Sequence, residues 1–440
     1  MSKKSFFVNS FILIGAGFLT RILGFFYRIF LSHTIGAEGI GIFQLTLPVM
    51  TLITAITAGG MQAAISYTAA SCSALKNRQN AKDYFLTGTF LSISLAVFLS
   101  FFFYRNAEFF AVQILKEART LPLLQMLAFS FPLNTLHLCI NSYYFSQKNT
   151  FYPSIVQLLE QFTRILSTYL IYLIYMQEER EITPLIAAAG SLISEIIAAL
   201  SGMFFIIFVF HGEHYSLKNF RRPLEKTAEL LQIAFPAGLN RILLTLLGSI
   251  EVICIPKQLC AYGYTSSEAL SLYGILTGMA IPLIFFPSAI TNAFSTLLIP
   301  SVTELLTLKK RRQIQHLIFR VSKYCLAFGC CCFGFFYISG DFLGNLLFKN
   351  NTAGTYIKTL SFLCPFLYLN FTLSGILNGL KKNGTCLLHN STGICIRIAS
   401  VFLFMPIMGM SAYLYGLLFS ELFKASLHIH SLRKFPDEAP

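Results

Sequence analysis

A chain of 440 residues, 55% hydrophobic and 12% charged with a mean hydropathy of +0.65, carries about half the charge of an ordinary globular domain. That composition argues against a soluble fold and for a chain that lies mostly in a bilayer. The net charge of +14 does not indicate nucleic acid, because Lys and Arg sit in short clusters between apolar runs, where they act as topology signals.

An apolar run of about 20 residues crosses the hydrocarbon core. Windows of that order give twelve segments, at 6–32, 40–70, 84–104, 121–146, 152–176, 183–210, 228–256, 270–300, 318–340, 357–379, 385–407 and 410–430. The first starts behind Lys3 and Lys4 as a signal peptide does. It contains Arg21 and Arg28, however, and shows no small-residue cleavage site, so it is expected to remain as the first helix. Gly36, Gly39 and Gly41 predict a tight connection into the second helix, with Glu38 near its positive end. The second segment carries Pro48 and Gly59-Gly60, and the eighth carries Pro282 and Pro287. These residues free backbone groups that neighbours must satisfy, and they predict bends. The eleven cysteines lie mostly within apolar runs, Cys330 to Cys332 among them, and read as packing residues.

With the N-terminus inside, eighteen Lys and Arg fall on the cytoplasmic side and seven on the other. The cytoplasmic set includes Lys76, Arg78, Lys82, Lys148, Lys218, Arg221, Arg222, Lys226, the run Lys309 to Arg312, Lys381, Lys382, Arg433 and Lys434. Both termini are therefore predicted cytoplasmic, in a multi-pass protein of the cell membrane. Thr20-Arg21-Ile22-Leu23 in the first segment is echoed 220 residues later by Asn240-Arg241-Ile242-Leu243 in the seventh. Six helices per half place both halves in the same orientation, a parallel repeat. The expected fold is an all-α polytopic membrane protein of two six-helix lobes, residues 1–215 and 216–440.

An ionisable group at bilayer depth costs at least about 2.5–3.5 kcal/mol, so it is a functional candidate unless a partner neutralises it. Arg21 and Arg28 lie two turns apart on the first helix, Arg241 lies midway along the seventh, and Arg397 interrupts the eleventh. A planar guanidinium gives paired hydrogen bonds to phosphate and stays charged, which makes these four the candidate substrate-binding residues for an anionic head group. The alternatives are pairing with a carboxylate or, for Arg28, reaching an interface. Glu195 in the sixth helix and Glu251 in the seventh are possible coupling residues. Glu160 and Arg164, four apart with the acid first, predict a structural ion pair. Phosphate-loop and dinucleotide fingerprints are missing. His211 and His214 lack further ligands, so no metal and no cofactor are expected. A membrane transferase would need a positioned base, and the histidines fall mostly in loops or singly in helices; the chain is read as a transporter and not an enzyme.

Two stretches carry a family resemblance: Thr20 to Phe43, TRILGFFYRIFLSHTIGAEGIGIF, and Ile255 to Thr303, IPKQLCAYGYTSSEALSLYGILTGMAIPLIFFPSAITNAFSTLLIPSVT. They resemble the stage V sporulation protein B group of the polysaccharide exporters, in the superfamily that holds the MATE antiporters and the lipid II flippases. The resemblance implies two lobes around a central cavity lined by the first, second, seventh and eighth helices, rocking for alternating access. It implies a lipid-linked oligosaccharide as cargo, plausible for spore cortex peptidoglycan, and a monomer in the bilayer that works beside cell-wall synthesis enzymes. Arg21 matches the first cavity arginine of the flippases in its Arg-x-Leu-Gly context. At the second, Tyr27 takes the place and Arg28 stands one residue further on. Many members carry one or two additional C-terminal helices. The alternative is a cation-coupled exporter of small drugs, but the first helix offers two Arg and no acid.

Overall fold

The computed structural model describes residues 3–75, 77–212 and 223–433, and among these every regular element is helical. Lys76, Lys218, Arg221, Arg222 and Lys434 of the basic clusters lie outside the described residues, as do Glu213, His214 and the expected lobe boundary at 215/216. The helices are α1 (Lys3–Thr34), α2 (Gly36–Thr54), α3 (Gly60–Ala74), α4 (Arg78–Arg105), α5 (Ala107–Phe109), α6 (Leu121–Ala128), α7 (Ser130–Ser146), α8 (Phe151–Gln177), α9 (Leu185–Gly212) and α10 (Pro223–Tyr262). They continue as α11 (Ser266–Gly274), α12 (Ile281–Phe285), α13 (Ser288–Thr307), α14 (Arg311–Phe348), α15 (Asn351–Ser361), α16 (Cys364–Gly379), α17 (Asn383–Ala399), α18 (Met405–Met408) and α19 (Met410–Arg433).

All twelve predicted segments are helical, but fewer are apolar enough to span. Eight helical stretches pass by length and composition, and two bent pairs raise the number to at most ten. The segments at 152–176 and 410–430 are not among them. The sequence accounts for the shortfall: α8 carries Glu160, Gln161 and Arg164, and α19 carries Glu421, Lys424 and His428, polar groups that need partners within protein. Gly36 opens α2 in the left-handed region, φ +69°, with Glu38 in the first turn. The anticipated bends form as π-turns at Ala55–Gly59 and Ile275–Ala280, and as the break before Ser288, whereas Pro48 stays inside α2.

The chain groups into two compact units, residues 1–27 with 42–249, and residues 28–41 with 250–440. In the first, Met61, Ala64, Ile65 and Ala69 repeat at helical spacing along α3 and meet Phe85 of α4, Cys139, Ile140 and Tyr143 of α7, and Leu230 and Ala234 of α10. A salt bridge from Lys226 Nζ to Asp83 Oδ2, 2.5 Å, joins α10 to α4, both side chains buried. In the second unit, Leu369, Leu373, Ile376, Leu377 and Leu380 of α16 form the spine against Val302 of α13, Cys325 of α14 and Ala425 of α19. Here α2 touches α11 backbone to backbone, since a Cβ on Gly274 would stand 2.0 Å from the Ala37 carbonyl oxygen.

The units repeat each other in detail. The π-turn of the second unit begins 220 residues after that of the first, the offset of the Arg-Ile-Leu echo. Ser66 Oγ donates to the Ser142 carbonyl across α3 and α7, 3.0 Å, and Ser295 Oγ donates to the Phe371 carbonyl across α13 and α16, 2.9 Å; both bonds span 76 residues. Each unit also has one sharply bent span, 47° between Ala118–Ala128 and Ser130–Ser146 and 56° between Asn351–Ser361 and Cys364–Gly379. Recurrence of hydrogen bonds, π-turns and bends goes well beyond a four-residue match.

Candidate substrate-binding arginines and buried charge networks

In the first unit Gly59 ends a π-turn and Gly60 opens α3, and together they remove two side chains from the face that meets α10. A Cβ on Gly60 would stand 2.1 Å from the Ala234 carbonyl oxygen, so α10 approaches to backbone contact. That approach lays the stem of Arg241 over Gly59, where an added Cβ would be 3.0 Å from Arg241 Cδ. The fork then reaches Gln62, with Nη1 donating to Oε1 at 2.9 Å. Gln62 is neutral, so Arg241 keeps its charge, and it is exposed. Arg21 is exposed on α1, and among the described residues it has neither hydrogen bond nor salt bridge. Arg28, half-buried at the end of α1 in the second unit, likewise has no ion pair among the described residues.

A second set of charges in the first unit is partnered. Arg164 pairs with Glu160 as the spacing predicts, and donates from Nε to Ser194 Oγ at 3.3 Å and from Nη1 to Gln161 Oε1 at 3.4 Å. His137 Nδ1 lies 3.8 Å from Glu160 Oε2. Gly24 of α1 rests against Gln161, its Cβ position 3.6 Å from Nε2, so the first helix packs on this cluster. Beside it, Glu195 Oε2 is buried and has no hydrogen-bond partner among the described residues.

The second unit treats its arginine differently. Arg397 grips Glu251 with two parallel bonds, Nε to Oε1 at 2.7 Å and Nη2 to Oε2 at 3.0 Å. Tyr413 donates to Glu251 Oε1 at 2.7 Å, and Glu421 lies 3.8 Å from Arg397 Nη1. Lys424 Nζ and Asn370 Nδ2 complete the Glu421 side, at 2.7 and 2.8 Å. Glu251 is 3% exposed and Glu421 5%, so the charges balance out of water. Two residues expected in separate roles, Arg397 for substrate and Glu251 for coupling, thus meet as one bidentate ion pair. Nearby, Ile396, Phe404, Met408, Tyr415 and Phe419 line an apolar cavity of about 400 Å³, which offers a charged head group no partner.

One constellation went unread in the sequence. His389 and His428, on α17 and α19, bring their Nδ1 atoms to 2.8 Å. Thirty-nine residues separate them, and the only local sign is the polar row Glu421, Lys424, His428 and Ser431 along one side of α19.

These features define a multi-pass membrane protein with the fold of the MATE transporters. An inward-facing multidrug-resistance MATE transporter of the MOP superfamily superposes with a TM-score of 0.77, covering 96% of each chain at 12% identity. A MOP-superfamily transporter from Pyrococcus furiosus, described by the reverse polarity of its binding pocket, superposes at 0.68, covering 99% of this chain and 96% of its own at 13% identity. In sequence, residues 6–306 match the polysaccharide biosynthesis protein family, and the chain belongs to that family. It is 25% identical to stage V sporulation protein B of Bacillus subtilis (strain 168) over 409 residues, 91% of this chain and 78% of that protein.

Proposed function

We propose that the protein flips an undecaprenyl-pyrophosphate-linked cell-wall saccharide, lipid II or a related polysaccharide precursor, across the cell membrane, and that Arg21 and Arg241 hold the diphosphate. The observation that carries this reading is that both guanidinium groups are exposed and, among the described residues, lack a carboxylate partner, while Arg164 and Arg397 are neutralised. A free guanidinium within a span must face water or a bound anion, because facing lipid is too costly. A diphosphate supplies paired acceptors that Gln62 does not. Family membership and similarity to a sporulation protein support a saccharide cargo with a role in spore cortex formation. The arrangement in two lobes, 1–215 and 216–440, with both termini cytoplasmic, belongs to the same reading. Glu251, bound to Arg397, and Glu195 are the proposed coupling groups.

The unpartnered, buried Oε2 of Glu195 favours a second reading, a cation-coupled exporter of small molecules. A buried carboxylate oxygen without a donor is a natural place for a proton or cation. Reconstituted proteoliposomes separate the two. The flippase reading expects translocation of fluorescent lipid-linked saccharide that Arg21→Ala and Arg241→Ala each lower by roughly 10- to 150-fold, the worth of a charge-assisted hydrogen bond of about 1.5–3 kcal/mol. Dye efflux that Glu195→Gln disables, with those arginine variants intact, overturns it.

A further inference from the structure

We propose that His389 and His428 form a proton-carrying site inside the second unit, at the end of a buried polar file that crosses its helices. The inference rests on the transport reading for its purpose and on geometry for its existence. The two Nδ1 atoms are 2.8 Å apart and the rings meet edge to face, centroids 4.8 Å apart at 61°. His428 is 0% exposed and His389 8%. At that separation one proton lies between the nitrogens, since two lone pairs repel and two N–H groups collide.

The outer nitrogens also have partners. His428 Nε2 is 3.3 Å from Ser374 Oγ on α16, and His389 Nε2 is 3.3 Å from Ser431 Oγ on α19. A serine hydroxyl donates or accepts, so the file Ser374, His428, His389, Ser431 can run in either direction. A proton arriving at the bare Nε2 of one ring charges the pair. The shared proton moves to the other Nδ1, and the proton on that ring's Nε2 leaves. One proton enters, one departs, and the pair ends neutral in the mirror tautomer. The charged and titratable groups facing the pair are Lys424, one turn earlier on α19 and paired with Glu421, and Cys386, one turn earlier on α17. The α16 side brings Ser374.

A further polar row starts one turn before His428 on α19: Lys424 pairs with Glu421, Glu421 meets Asn370 and Arg397, and Arg397 grips Glu251, which accepts from Tyr413. From Tyr413 to Ser431, α19 rises about 27 Å, close to the thickness of the hydrocarbon core. Packing alone would be served better by apolar residues along such a row.

The test uses the purified full chain with ¹⁵N-labelled histidine, followed by NMR across about pH 5 to 8, the window in which histidine titrates. The wild type is expected to show one N–H proton coupled to two imidazole nitrogens throughout that range, a signal missing from His389→Gln and from His428→Gln. In proteoliposomes, an imposed pH gradient is expected to accelerate translocation by the wild type, and His428→Gln to lose that acceleration completely while keeping downhill exchange. Ser431→Ala, a milder change, is expected to slow the accelerated rate without removing it. A wild-type pair that shows no shared proton overturns the proposal, as does a His428→Gln protein that answers the gradient like the wild type. Failure of the wild type to move any lipid-linked saccharide defeats the transport reading instead, and the spectroscopic result still decides on the site.

Discussion

Arg241 and Arg397 are the same side chain on helices of the two units, and their surroundings have opposite consequences. Arg241 lies over a glycine and donates to an amide, so its charge stays exposed and available. Arg397 is clamped by Glu251, approached by Glu421 and supported by Tyr413, so its charge is consumed inside the protein. An arginine in a membrane span is thus either a ligand-binding group or a structural one, and the partner decides which. Variants of the Glu251–Arg397 pair should therefore lose stability first, whereas those of Arg21 and Arg241 should lose transport with stability kept.

The largest expected effect is on the consumed charge. Glu251→Ala strands Arg397 with only a distant carboxylate, and losing one member of a buried pair costs about 3–5 kcal/mol. The thermal midpoint and monodispersity of detergent-purified protein should fall sharply, whereas replacing both Glu251 and Arg397 by Met should restore most of the loss. A single variant as stable as wild type would break the contrast. Next come Arg21→Ala and Arg241→Ala, where transport is expected to drop by the factor given above while stability stays within about 0.5 kcal/mol. Third is Gly60→Ala, whose Cβ would meet the Ala234 carbonyl oxygen at 2.1 Å. Separating α10 from α3 should cost about 1–3 kcal/mol and shift Arg241 off Gln62, lowering both melting temperature and transport.

How far the sequence foretold this contrast differs residue by residue. Helix positions, the π-turns at Gly59 and before Pro282, the break at Pro287 and the Glu160–Arg164 pair follow from local signals, hydropathy and spacing. The repeat left its mark in one tetrapeptide, whose offset of 220 residues is also that of the π-turns, while other paired features recur at wider offsets. What stayed hidden is long-range pairing. Nothing near Arg397 announces that Glu251, 146 residues earlier, takes its charge, nor that Gln62 and not an acid meets Arg241, 179 residues away. The His389–His428 contact was hidden for the same reason: the two histidines stand on different helices 39 residues apart, and only tertiary packing makes them a pair. By length and composition α8 and α19 fall short of spans because their polar residues serve partners inside the units.

The finest test converts one arrangement into the other. Gln62→Glu changes an amide to a carboxylate at the atom that already accepts from Arg241 Nη1 at 2.9 Å, so it reproduces in the first unit the neutralisation seen at Arg397. Because the site is exposed, the new ion pair should add only about 0–1 kcal/mol of stability, a small rise in thermal midpoint. Transport should nevertheless fall as far as in Arg241→Ala, since the carboxylate occupies the fork and repels the diphosphate. Gln62→Ala should instead leave the guanidinium free and keep most of the activity. If Gln62→Glu transports like wild type, Arg241 does not bind the anion, and its exposure must have another cause.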